Sequence, residues 1–345
     1  MHPPGLDLDR LAGFLTRTRP DLAGAPLRGE LIEGGRSNLT YLVTDGAREW
    51  VLRRPPLGHV LATAHDVARE YRVISALAGT PVPVPEAILL CSDPDVLGAP
   101  FYLMSRVEGT VYRTATQTAA LSDTARQRLA RRLIDTLADL HMVDPAAVGL
   151  SDFGRPDGFL ARQVRRWTTQ LAASRSRDVD GIDELATRLA DEVPDSGPAA
   201  IVHGDYRLDN VLVRNPADPS ISAVLDWEMS TLGDPLTDLG LLLVYWDRLT
   251  AQDNPVVEGV GARHGFPDGA TLISWYAART GTDLSTLDWY VAMAAFKLAV
   301  ILEGIHYRYT LGKTVGDGFD RIGTLVPPLV EMGLDALRGT RGPTG

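Results

Sequence analysis

An α+β protein of two lobes, a small sheet-rich front and a larger, mainly helical back, is the fold class this sequence predicts. Two observations carry the prediction. Strand alternation and turn signals crowd into residues 27–107, and nearly everything after them repeats with helical spacing. A chain of 345 residues is also longer than one minimal core requires. The expected lobes are 1–107 and 108–345, joined near Glu108 to Thr110.

Residues 6–19 read as a short amphipathic helix. "LRGELIEGGRSNLTYLVTDGAREWVLRRPP" then reads as three antiparallel strands, 27–33, 38–44 and 49–54, joined by "GGRSN" and by a tight "TDGA" turn. "DVAREYRVISALAG" is helical, apolar at Val67, Tyr71, Ile74 and Leu77, with glycine where a C-cap belongs. The proline run "TPVPVPE" forces an extended path. "AILLCS" and "PFYLMSRV" complete a five-stranded antiparallel sheet with one helix. In the back lobe "DTARQRLARRLIDTLADLHMV" puts Leu129, Leu133, Ile134, Leu137 and Leu140 on one face. Further helices are expected within 151–200 and at 238–250, 269–281, 286–310 and 316–338.

Composition narrows the function classes. Net charge is −10, and the basic residues scatter through helical patterns without forming a stripe, which argues against nucleic acid as a partner. The single cysteine, Cys91, has no internal disulfide partner and fits a small buried residue in a reducing compartment. The N-terminus lacks the basic and apolar regions of a signal peptide. "YVAMAAFKLAVIL", interrupted by Lys297, is taken as too short to span a bilayer. A cytoplasmic protein with no membrane partner is the expectation, as monomer or homodimer.

The chemistry concentrates in "IVHGDYRLDNVLVRNPADPSISAVLDWE", residues 201–228. "VLV" and "ISAVLDW" read as a hairpin closed by the turn formers of "RNPADPS". Antiparallel pairing is expected to bring Asn210, before the first strand, opposite Asp226, at the end of the second. An amide carbonyl and a carboxylate are hard oxygen ligands that suit Mg2+ shared with substrate phosphates. Asp205, in a loop opened by Gly204, is placed to accept a proton from an attacking hydroxyl.

The segment resembles the "HGDxxxxN…D" motif of the aminoglycoside phosphotransferase and choline kinase family, relatives of protein kinases, and the likeness extends from about residue 27 to 335. The resemblance implies a bilobal protein-kinase-like fold. It implies Asp205 as catalytic base, His203 as a brace of the catalytic loop, and Asn210 and Asp226 as magnesium ligands. Asp234 would hydrogen-bond the catalytic loop and Asp238 would cap the next helix. In the front lobe, "EGGRSNLTYLV" matches the loop over the nucleotide phosphates, with Gly34 and Gly35 allowing close approach and Ser37, Asn38 and Thr40 as donors. Arg53 stands where the family usually carries a phosphate-gripping lysine, and Glu70 is its expected partner. Backbone groups from about Ser105 to Val107 would bind adenine. The implied nucleotide is ATP, or GTP, and the second substrate a small molecule with a hydroxyl.

Within the family, "VLRRPP", "TPVPVPE", "GRPDGFLARQVRRW" and "VLDWEMSTLGDPLTDLG" most resemble kinase domains attached to some acyl-CoA dehydrogenases. That likeness implies a hydroxy acid or hydroxyacyl thioester as acceptor, with Arg162, Arg165, Arg166 and Arg207 as candidate anion contacts. An aminoglycoside acceptor would need grouped carboxylates, for which Glu303, Asp283 and Asp288 are candidates. A non-catalytic nucleotide-binding pseudokinase is the reading from another class, resting on the missing lysine.

Overall fold

The computed structural model describes residues 3–32, 38–57, 66–217, 219–249, 259–314 and 318–339. The chain divides into two compact units, Met1–Gly109 with Ser222–Ser230, and Thr110–Ile221 with Thr231–Gly345.

The first unit runs α1 (Leu8–Thr18), β1 (Arg28–Leu31), β2 (Leu39–Thr44), β3 (Glu49–Arg54), α2 (Val67–Leu77), β4 (Ala87–Cys91), α3 (Pro94–Leu97) and β5 (Phe101–Ser105). Asp7 caps α1 by accepting the Asp9 and Arg10 N–H groups, and Asp66 caps α2 through Arg69 N–H. The strands form one antiparallel sheet in the order β1-β2-β3-β5-β4, the five-stranded sheet expected. The short helix α3 was not expected, because four residues are too few to show a period.

Alternation along the strands sends Tyr41, Val43, Trp50, Leu52, Phe101 and Leu103 to one face, into a core with Leu11 and Leu15 of α1. Burying a side chain such as Phe101, fully enclosed here, contributes roughly 1.5–3 kcal/mol. Arg53 and Tyr102, cross-strand partners, lie out of step with that set, and Arg53 meets Glu70 of α2. Ser222–Ser230 is tied into the same unit. Val224 N–H donates to Pro83 O, Ser222 Oγ to Glu108 O, and the Arg69 guanidinium to Ser230 O.

The second unit runs α4 (Ala115–Thr118), α5 (Asp123–Met142), α6 (Phe159–Ser174), α7 (Ile182–Asp191), β6 (Ala200–Val202), β7 (Val211–Arg214), β8 (Ser220–Val224), β9 (Thr231–Gly233), α8 (Leu236–Leu243), α9 (Gly269–Thr280), α10 (Leu287–Thr310) and α11 (Val326–Leu337). β8 passes into the first unit at Ser222. The expected hairpin is present as the ribbon β7–β8, but its second strand stops at Val224, two residues short of Asp226. The helix expected over 316–338 is a 3-10 segment, Phe319–Leu325, followed by α11. Pro327 and Pro328 explain the break, since proline belongs in the first turn of a helix and not in its interior.

α10 corrects another expectation. It is 24 residues long and carries a window that could cross a membrane by length and composition, so it is not too short. Yet 67% of that window is buried, and the helix packs against α6, α7, α8 and α11. Its apolar character is that of a core helix.

Candidate active site

β6 pairs with β9, and the chain leaves β6 at His203 to enter a tight loop before β7. Gly204 takes φ +84°, a conformation that favours glycine. Both N–H groups at the turn are held by one carboxylate: His203 N–H donates to Asp238 Oδ2 at 2.6 Å and Gly204 N–H to Oδ1 at 2.8 Å. Tyr206, fully buried, fastens the loop to α5 through its hydroxyl on Leu133 O, 2.8 Å.

These anchors leave Asp205 at a defined position with its side chain 30% exposed. Its N–H donates to His203 Nδ1 at 3.2 Å, so the buried ring accepts at Nδ1 and braces the loop. Asn210 Nδ2 donates to Asp205 O at 2.8 Å and to Asp205 Oδ2 at 3.0 Å, orienting the carboxylate. Arg207 Nε lies 3.5 Å from the same oxygen, while its NH2 reaches Asp209 Oδ2 at 2.7 Å. The guanidinium stacks over Tyr245, 4.7 Å from the ring centroid. Tyr245 sits in the π-turn Val244–Arg248 that ends α8, where a continuous helix over 238–250 was expected.

The roles expected of two aspartates are exchanged. Asp238 does not cap α8: it lies inside the first turn, wholly buried, and is the residue that holds the loop carrying Asp205. Asp234 makes the cap-like contact, accepting Leu236 N–H at 3.0 Å and the Tyr290 hydroxyl at 2.8 Å. The reason is Pro235, which starts the helix two residues earlier than the sequence reading placed it.

His141, at the end of α5, was missed. Its Nε2 lies 3.3 Å from Asp238 Oδ2 and its Nδ1 2.7 Å from the Tyr276 hydroxyl. A carboxylate can only accept here, so Nε2 carries the proton and Tyr276 donates to Nδ1. A relay of Tyr276, His141 and Asp238 thus supports the loop from behind. A lone histidine at the end of an amphipathic helix gives no sign of which backbone it serves.

In the first unit, Arg53 NH1 pairs with Glu70 Oε1 at 2.9 Å, and NH2 lies 3.3 Å from Asp226 Oδ1. The expected Arg53–Glu70 pair is therefore formed. Asp226 takes φ +64°, one of two non-glycine residues with positive φ among the described residues, and its side chain is 35% exposed. Left-handed backbone at a non-glycine residue costs of order 1–3 kcal/mol and clusters at functional positions. Burial alone would lower the Arg53 pKa, but the charges of Glu70 and Asp226 raise it, so the guanidinium stays charged.

Complete burial pushes Glu70 up to about 7, against the pull of Arg53. A carboxyl raised in the folded state stabilises the fold below its ordinary value of 4.5, and that contribution disappears as pH rises through about 7. Glu70→Gln is thus expected to flatten the decline of thermal stability between those pH values. Melting curves across that range, showing the same slope in both proteins, would contradict this.

The remaining candidates divide. Ser37, with Gly34 and Gly35, lies outside the described residues. Thr40 is half-buried in β2 opposite Arg53. Asn38 is buried, and its Oδ1 has no hydrogen-bond partner among the described residues. Ser105 N–H already donates to Glu86 O at 2.9 Å, so that group is not free for a base, whereas Val107 lies beyond the end of β5. Arg162 turns back onto the carbonyls of Asp157 and Arg155, fastening the approach to α6, and does not join the group around Asp205. Arg166 lies over Trp167, 5.3 Å from the ring centroid.

No group of three or more His, Cys, Asp or Glu side chains that could hold a metal occurs among the described residues. Magnesium shared with phosphates needs only one or two protein ligands. Asn210 and Asp226 are of the right chemistry. The first uses its N–H groups on Asp205, which leaves its Oδ1 to serve as ligand, and the second is a half-exposed carboxylate. Asn210 belongs to the second unit and Asp226 to the first.

Residues 28–274 match the model of the family described as "Phosphotransferase enzyme family". Acyl-CoA dehydrogenase family member 11 of Rattus norvegicus is 35% identical over 342 residues, which cover 97% of this chain and 44% of the relative. The chain thus spans less than half of that relative's length. A crystal structure of a Ralstonia eutropha JMP134 protein, described provisionally as an aminoglycoside phosphotransferase, matches with TM-score 0.84 at 32% identity, over 97% of this chain and 99% of that one. The GDP complex of aminoglycoside 2'-phosphotransferase-IIIa matches with TM-score 0.63 at 15% identity, over 94% and 99%, a likeness of fold alone.

Proposed function

We propose that this chain, which belongs to the phosphotransferase enzyme family, is a kinase that transfers the terminal phosphate of ATP or GTP to the hydroxyl of a hydroxy acid or hydroxyacyl thioester. The observation that carries phosphoryl transfer is the half-exposed Asp205 carboxylate, oriented by Asn210 on a loop that Asp238 fixes. A general base needs that combination of access and fixed direction. In this reading Asp205 accepts the proton of the acceptor hydroxyl. Asn210 Oδ1 and the Asp226 carboxylate are the magnesium ligands, and the ion when bound supplies charge neutralisation at the phosphates. Arg53 contacts a phosphate oxygen in place of the usual lysine, through a planar fork suited to that group.

The choice of acceptor is supported by the relatives named as acyl-CoA dehydrogenase family members. It is supported too by the carboxylates that a cationic amino sugar would need. Glu303 accepts from Ser176 Oγ at 2.8 Å and pairs with Arg177 at 3.0 Å, and Asp283 accepts from Ser285. The description of the Ralstonia protein favours the second reading, an aminoglycoside acceptor.

Magnesium-dependent nucleotide consumption against hydroxy acids, hydroxyacyl thioesters and aminoglycosides separates the readings. Turnover with the acyl compounds is expected. Turnover with aminoglycosides alone would install the second reading, and nucleotide binding without turnover on any acceptor would make the chain a pseudokinase.

A further inference from the structure

Lys297 interrupts the apolar run of α10 at a position where an aliphatic residue would fit the helix better. Its Nζ donates to Gly204 O at 2.9 Å, the carbonyl of the peptide that leads into Asp205. The Gly204 N–H on the same residue is held by Asp238, so an anion and a cation grip this residue from its two backbone groups. An ammonium has three N–H donors. Gly204 O is the one acceptor it meets among the described residues, and Nζ lies over the indole of Trp167, 5.8 Å from its centroid. Arg166 lies over the same indole, 5.3 Å from the centroid. Enclosure of the ammonium lowers its pKa, while the charges of Asp205 and Asp238 raise it and that of Arg166 lowers it, so these groups all lie within electrostatic reach. A single neutral carbonyl is poor compensation for withdrawing an ammonium from water, and methionine in its place would pack without that penalty. A cation with unused donors beside the candidate base is what an acceptor with a second oxygen requires.

We propose that Lys297 is an acceptor-binding residue: the N–H groups not used on Gly204 donate to the carboxylate or thioester carbonyl oxygen of a hydroxyacyl acceptor whose hydroxyl meets Asp205. Trp167 offers an apolar face to the carbon chain between the two groups. Arg166 adds positive charge on that indole, which favours an anionic acceptor and opposes a cationic one. The assignment rests on the phosphotransferase reading of Asp205 and adds the group that selects the acyl end.

Calorimetric titration of the full chain tests it, with magnesium and a non-hydrolysable ATP analogue present. The probes are 2-, 3- and 4-hydroxybutyrate and their coenzyme A thioesters. Wild type is expected to bind at least one. Lys297→Met is expected to weaken that binding by about tenfold or more, the loss of a charge-assisted hydrogen bond, with nucleotide affinity kept within about twofold. Lys297→Arg should restore part of the loss. Equal binding by wild type and Lys297→Met overturns the assignment, as does failure of wild type to bind any probe. A parallel fall in nucleotide affinity also overturns it, by reducing Lys297 to a clamp on the loop. Acceptor binding lost in Lys297→Met, with no phosphate transferred by wild type, would support the assignment and count against the kinase reading alone.

Discussion

Asp205→Asn is expected to slow phosphate transfer by roughly 10²–10⁴-fold, the range for removing a general base. Nucleotide affinity should not change. The substitution preserves shape, and an asparagine oxygen can still accept from Asn210 Nδ2, which now holds the carboxylate at 3.0 Å. The loop should therefore keep its course through Tyr206, whose anchor on Leu133 O does not involve the substituted atom. What is lost is the capacity to take a proton. Steady-state rates at saturating acceptor, beside a calorimetric nucleotide titration, separate the two effects. A variant that turns over normally would remove Asp205 from the role of base. One that loses nucleotide binding in proportion to rate would make it a structural member of the loop.

The second large effect is expected at Asp238. Its carboxylate accepts from His203 N–H, Gly204 N–H and His141 Nε2, all within one buried cluster. Asp238→Ala leaves those donors without an acceptor, and breaking a buried charged network of this kind costs about 3–5 kcal/mol. Transfer should fall with stability, since the same contacts position Asp205. Burial by itself would raise the Asp238 pKa, but the hydrogen bond from His141, with the His203 N–H bond, brings it below the ordinary 3.8. A carboxylate depressed in the fold stabilises above its unfolded value, and that stabilisation is lost as pH falls through the folded one. Wild type should therefore lose stability more steeply than Asp238→Asn below about pH 4. Denaturant titrations at neutral and acid pH give both quantities, and unchanged stability in Asp238→Ala would refute the clamp.

The parts of this fold that local pattern specifies were legible in the sequence. β2 alternates because one face meets the core that holds α1, and α5 shows its stripe because one face is buried. The Asp205–Asn210 spacing was legible because loop and strand are contiguous. Contacts between distant segments were not. Ser222–Ser230 joins the first unit through Pro83, Glu108 and Arg69, partners more than a hundred residues away. "GDPLTDLG" shows two aspartates four residues apart, but which of them reaches the loop depends on where α8 begins, and Pro235 decides that. Lys297 read as an interruption because its partner, Gly204, sits on another element. Val244–Arg248 read as plain helix because a π-turn keeps the same apolar spacing over so short a stretch.

Phosphorus NMR of the full chain with magnesium, ATP and the hydroxyacyl series tests the account at its centre. A phosphomonoester signal coupled to the carbinol proton of the acceptor is predicted for wild type, absent without magnesium and nearly absent with Asp205→Asn. Formation of ADP with inorganic phosphate as the sole product, or the same ester formed at the same rate by Asp205→Asn, would contradict it.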